Sequence, residues 1–206
     1  MSIQSNLNTI KETLPEHVTL VAVSKTKPVS DLMQAYEAGQ RIFGENKIQE
    51  MTEKWEQMPK DIQWHMIGHV QSNKVKFMAP YVTLIHGVDS LKLLQEINKQ
   101  ALKNNRTIDC LLQIYIAEEE SKFGLDEKEL NELLTSVEFN ELKNIRILGL
   151  MGMATFTEDQ NQIKKEFAHL KSIFDSIQKL QIVDLKTISM GMSGDYQLAI
   201  ECGSTM

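Results

Sequence analysis

The chain has 206 residues, 42% of them hydrophobic and 24% charged, enough for one sizeable core and too few for two ordinary domains. Its 22 Lys and Arg against 28 Asp and Glu leave a net charge of -6, which gives the whole molecule no attraction to a nucleic-acid backbone or an anionic membrane surface. No apolar run of the length a bilayer needs occurs, the N-terminal MSIQSNLNTIKETL has no targeting pattern, and Cys110 and Cys202 lack a CxxC spacing, so a cytoplasmic protein with reduced thiols is expected.

In chain order, the first element is an amphipathic helix, Ile3 to Leu14, which would cover the bottom of a barrel or a neighbouring subunit. Seven β-rich runs follow: Val18 to Val23, Arg41 to Phe43, Ile62 to Met66, Val82 to Ile85, Ile108 to Ile116, Ile147 to Met151 and Leu185 to Ser189. Helical segments separate them. Ser30 to Ala38 ends at Gly39, a residue suited to the left-handed position beyond a helix, and Asp89 or Ser90 can cap the helix after Val88. Glu158 to Lys179 is the clearest helix, with Ile163, Phe167, Leu170, Phe174 and Ile177 at spacings of three and four, and Thr157 with Gln160 forms a capping-box pattern at its start.

Strand-helix alternation implies parallel strands joined by right-handed crossovers, in a doubly wound sheet or a closed TIM-type barrel. No linker or low-complexity tract interrupts it, so residues 1–206 read as one domain. A (β/α)8 barrel takes about 250 residues. Seven units precede Met206, so an eighth strand is expected just beyond it and the C-terminal end is expected to be incomplete.

Lys25, in Val23-Ser24-Lys25-Thr26-Lys27-Pro28, stands where the first strand runs into its loop, the functional face of a barrel. A neutral lysine amine there can attack an aldehyde to form an imine. Taken alone, Lys25 and Lys27 read as solvated loop residues. At the other end, Ser189 to Asp195 and Gly203-Ser204-Thr205 are small-residue turns, the first opening a helix around Tyr196 to Ile200, able to present N–H and hydroxyl groups to an anion. A lysine after strand one and a phosphate cradle after strand seven would straddle one barrel mouth, which suits an aldehyde cofactor carrying a phosphate.

These segments carry a resemblance. VAVSKTKP, FGENKIQE, WHMIGHVQSNKVK, LLQIYIAEEESKFG, LGLMGM and SMGMSGDYQLAIECGSTM, in order over nearly the whole chain, resemble the pyridoxal-phosphate homeostasis proteins, related to the alanine racemase N-terminal domain. The resemblance implies a fold-type III (β/α)8 barrel with pyridoxal 5'-phosphate as cofactor. It implies that Lys25 holds this cofactor as a Schiff base, that Ser193, Gly203, Ser204 and Thr205 lie at its phosphate, and that Asn46 falls in the second barrel loop. Relatives continue after GSTM with a Val-Arg-Ile-Gly strand whose arginine approaches the cofactor. They usually have Leu in place of Val70 and often a short polar residue in place of Tyr115, departures outside the lysine and phosphate motifs.

Other candidates read as structural. His65 and His69 are four apart, but Gly68 intervenes and no carboxylate joins them, so no metal site is expected. His65 and His86 are expected at strand ends near the mouth. Lys74, Lys76 and the Glu118-Glu119-Glu120 run before Ser121-Lys122 read as solvated, and the eleven methionines as core filling.

The expected function is reversible holding of pyridoxal phosphate for homeostasis, as a monomer or weak dimer, with apo-enzymes as recipients and no catalytic residue. The alternative is an amino-acid racemase. Racemisation requires a second acid/base facing the lysine, which racemising relatives take from an additional β-domain of a partner subunit, and only Tyr115 is placed to substitute.

Overall fold

The computed structural model describes residues 2–119 and 123–206. Its elements in chain order are α1 (Ile3–Thr13), β1 (Ala22–Val23), α2 (Val29–Glu37), β2 (Ile42–Glu45), α3 (Ile48–Gln57), β3 (Gln63–Met66), α4 (Val75–Met78) after a 3₁₀ turn, β4 (Leu84–Val88) and α5 (Leu91–Lys103). There follow β5 (Ile108–Ile114), α6 (Glu127–Thr135), α7 (Val137–Asn140), β6 (Ile145–Gly152), α8 (Gln160–Leu180), β7 (Thr187–Ser189) and α9 (Tyr196–Glu201).

The seven strands form one parallel sheet in the order β1 to β7. A doubly wound sheet reverses its strand order at a switch point; this one never does, which is the winding of a (β/α) barrel and removes the doubly wound alternative. At the open side, Thr205 spans the gap. Its N–H donates to Ile188 O (3.0 Å), while its carbonyl accepts from Thr19 N–H (2.9 Å) ahead of β1. No eighth strand is present among the described residues.

Strand alternation creates two apolar layers. Phe43, Trp64, Met66 and Ile85 face the helices and pack with Met51, Ile97 and Phe167, whereas Leu84, Leu111 and Met151 form a separate inner cluster with Met153 and Met206. All five apolar positions named for the long helix are buried in α8.

Four details differ from the sequence expectation. β1 is only two residues long, because the preceding Leu20 carbonyl is taken by the Gln40 side-chain amide (3.0 Å) instead of a strand ladder. β4 runs on through His86 and Gly87, with a register shift between Ile85 and Val88 that keeps them in the sheet. Asp159, not Thr157, caps α8. Its Oδ1 accepts from the Asn161 and Gln162 amides (2.9 and 3.3 Å), a carboxylate being favoured at the positive end of a helix. α1 packs along α2 with Leu7 buried, and its end meets α9 where the Thr13 and Tyr196 hydroxyls lie 3.4 Å apart. No described helix is long and apolar enough to cross a membrane.

Candidate functional site

Every sequence-predicted site residue follows a strand end on the same side of the sheet, except the Gly203–Thr205 segment, which joins that side through Ile188 and Met190. Lys25 leaves β1 in a tight turn closed by Lys27 N–H donating to Ser24 O (3.1 Å), and its side chain is exposed. Thr26, the next residue, has φ +64°, a conformation unusual for a β-branched side chain. Asn46 follows β2, half-buried, with its backbone pressed against Gly68: a Cβ at position 68 would come within 2.5 Å of Asn46 O, so only glycine lets the two strand ends approach.

Beneath the Lys25 turn lies a buried ionic cluster. Lys54 Nζ, on α3, donates to Ser24 O, Glu45 Oε1 and Glu50 Oε1, each at 2.7 Å. Ser24 Oγ donates to Glu45 Oε1 (2.7 Å), and Thr26 N–H to Glu50 Oε1 (2.6 Å). Burial pushes the Glu45 carboxyl up, against the opposing pull of Lys54 and Ser24, whereas the Lys54 hydrogen bond holds the more open Glu50 down. Glu45 Oε2 is buried with no hydrogen-bond partner.

The β7 loop and the C-terminal segment divide the phosphate-like features unevenly. Ser193 and Gly194 are exposed, and among the described residues the Ser193 hydroxyl and the amides of both make no hydrogen bond. Ser204 is buried, its hydroxyl within 2.9 Å of both Met190 O and Met206 O, which share its one proton. The Thr205 hydroxyl accepts from Ile188 N–H (2.9 Å), and Gly203, at φ +98°, donates its N–H to Ile200 O. These three residues therefore fasten the segment to β7 and α9, while Ser193 and Gly194 present free donors.

His65 is the penultimate residue of β3, near the strand end where it is expected, whereas His86, expected after strand four, lies within β4; both are buried. His86 Nε2 meets His65 Nδ1 at 3.0 Å and His86 Nδ1 meets Ser189 Oγ at 2.9 Å, a polar string from β3 to β7. Burial lowers the His65 pKa to about 4 and drives His86 well below its usual value, with the neighbouring His65 adding to the effect, so both rings are neutral at pH 7. The string joins residues 21 and 103 positions apart, a proximity no local spacing announces. Lys54 left one local trace, its i,i+4 spacing from Glu50.

Around the rim, Glu118 pairs with Lys165 (2.9 Å), while Glu120, Ser121 and Lys122 lie outside the described residues. Buried Glu166 collects the amides of Thr155 (2.7 Å) and Glu118 (3.1 Å), tying the loops after β5 and β6; burial raises its pKa, but these donors outweigh it and hold it low. His69 stands apart from His65, exposed beside Asp89 and stacked on Phe123. No group of three metal-ligating side chains occurs among the described residues. Tyr36 bonds Asp61, Tyr81 meets Thr52 and Tyr196 meets Thr13. Tyr115 directly follows β5, its hydroxyl donating to Glu119 O (3.0 Å).

Comparison with known proteins extends this geometry. The family model for the alanine racemase N-terminal domain matches residues 1–206. The pyridoxal phosphate homeostasis protein of Aquifex aeolicus is 38% identical over 189 residues, 91% of this chain and 82% of its own; that of Escherichia coli K12 is 37% identical over 196 residues, 93% and 82%. The structure of PipY of Synechococcus elongatus with PLP bound superposes with TM-score 0.91 at 32% identity, covering 98% of this chain and 95% of that one. Alanine racemase of Clostridium difficile shares the fold alone, with TM-score 0.78 at 17% identity over 94% of this chain and 54% of that one. The chain belongs to the pyridoxal phosphate homeostasis protein family, built on the alanine racemase N-terminal fold.

Proposed function

We propose that this protein binds pyridoxal 5'-phosphate reversibly, as a Schiff base on Lys25, and supplies it to apo-enzymes in the cytoplasm without turning over a substrate. The observation that carries this reading is the exposed Lys25 at the strand ends of a fold that superposes on PLP-bound PipY over 98% of this chain. The residues present fit such a group. Lys25 makes no ion pair among the described residues, and the β7 loop offers the Ser193 hydroxyl with the Ser193 and Gly194 amides. When bound, the cofactor supplies an aldehyde for the amine and a phosphate for the cradle.

The chain's own residues then divide the work. Lys25 holds the aldehyde end, and Ser193 and Gly194 bind the phosphate by hydrogen bonds to an anion, which are stronger than neutral ones. Gly203, Ser204 and Thr205 form the wall behind that phosphate, their polar groups keeping the wall in place. Asn46, held close to Gly68, lines the ring's side of the mouth.

Holding without turnover is favoured by the tyrosines. A racemase needs a second acid/base opposite the lysine. Tyr36, Tyr81 and Tyr196 are engaged by other helices or loops, and the Tyr115 proton is given to a backbone carbonyl. Equilibrium titration with pyridoxal phosphate should give a saturable band near about 420 nm, as an imine requires, and incubation of the loaded protein with L-alanine should yield no D-alanine. An unchanged spectrum would contradict the binding, and steady production of D-alanine would contradict the absence of turnover.

A further inference from the structure

Lys54 is a lysine buried to 4% exposure between a sheet and a helix, a place where an apolar residue of equal volume commonly serves stability as well or better. Its three N–H donors have specific addresses. One goes to the Ser24 carbonyl; the other two go to Glu45 and Glu50, whose carboxylates in turn accept from the Ser24 hydroxyl and the Thr26 amide. The cluster therefore grips the residue before Lys25 and the residue after it, and among the described residues makes no hydrogen bond or ion pair with Lys25 itself. The grip opposes a real strain: Thr26 sits at φ +64°, a region β-branched residues avoid, and its amide there is aimed at Glu50. Without that acceptor, the turn has little reason to keep a threonine left-handed.

We propose that Lys54, acting with Glu50, is a positioning residue for Lys25: by fixing Ser24 and Thr26 from behind, it holds the turn in the one conformation that directs the Lys25 amine over the strand ends. The proposal rests on Lys25 being the residue that links to the cofactor. It also gives the buried cation a task that core stability alone does not supply. Glu45 anchors the cluster to β2, so the lysine turn is tied to the neighbouring strand as well as to α3.

The test has two readouts, one taken on the ligand-free protein. Hydrogen exchange at the Thr26 amide reports the grip itself. The rate of borohydride-fixed adduct formation on Lys25 with pyridoxal phosphate reports its consequence. Glu50→Ala is the primary variant, because the Glu50 side chain is partly solvated and its removal leaves Lys54 still paired with Glu45. Lys54→Met combined with Glu45→Gln is the second, removing both buried charges together so that neither is stranded. Both should speed Thr26 exchange and slow Lys25 adduct formation by roughly tenfold or more, the scale of one lost charge-assisted hydrogen bond. Glu50→Gln, which keeps an acceptor for Thr26, should stay within about threefold of the parent, as a neutral hydrogen bond replaces a charged one. Folded variants whose Thr26 exchange or Lys25 adduct rate matches the parent would overturn the positioning role. If the unmodified protein forms no adduct on Lys25, the assignment of that lysine fails, and the positioning role with it.

Discussion

At the scale of single residues, the most consequential side chains are those whose charge state the fold decides. His65 and His86 are neutral and buried, each ring occupying the other's donor or acceptor. Both take up a proton near pH 6.5 in an unfolded chain and resist it when folded, so between about pH 6.5 and about 4 the unfolded state binds more protons. Their contribution is complete above pH 6.5 and is lost as pH falls. Urea unfolding should therefore show stability declining from pH 7 to pH 5, by up to about 1.4 kcal/mol per pH unit for each histidine. His65→Asn should make that decline shallower by about one proton; a decline as steep as the parent's would mean that other groups set it. The expectation for Lys25 rests on local sequence, since the residue follows an apolar strand inside a stretch that resembles a family motif. The histidine string and the Lys54 cluster were not legible there, since their members meet only through the closing of the sheet.

At the scale of elements, periodicity located all seven strands and the long helix, because burying one face imposes a spacing that survives in a single sequence. Ends were harder to read. His86-Gly87 resembles a turn, yet the residues stay in β4, where a Cβ on Gly87 would meet Gly68 O at 2.8 Å. The α8 cap was displaced by two residues because Thr157 and Asp159 are both cap formers, and the carboxylate is the one that reaches the first-turn amides. Asp159→Ala should lower stability by about 1 kcal/mol, a drop of a few degrees in the thermal midpoint, while Thr157→Ala should change it by less. Equal losses would show that the two residues cap α8 jointly.

At the scale of the whole molecule, unidirectional winding gathers residues from the two ends of the chain onto one face: Lys25 after β1, Asn46 after β2, and the Ser193 loop after β7. Alternation of elements could not distinguish this winding from a doubly wound sheet; only the strand order does. The same layout keeps the proposed binding residues apart from those that carry stability, since residues at the C-terminal strand ends contribute little to the two apolar layers. Lys25→Ala should accordingly stay within about 0.5 kcal/mol of the parent in urea unfolding, and a loss of several kcal/mol would make Lys25 a structural residue. The central claim, that this lysine is where the cofactor is held, is tested most directly by mass analysis of peptides after borohydride reduction of the protein mixed with pyridoxal phosphate. The account predicts one stable adduct, on the peptide carrying Lys25 and at that side chain; an adduct on Lys27 or Lys74 with Lys25 unmodified would contradict it.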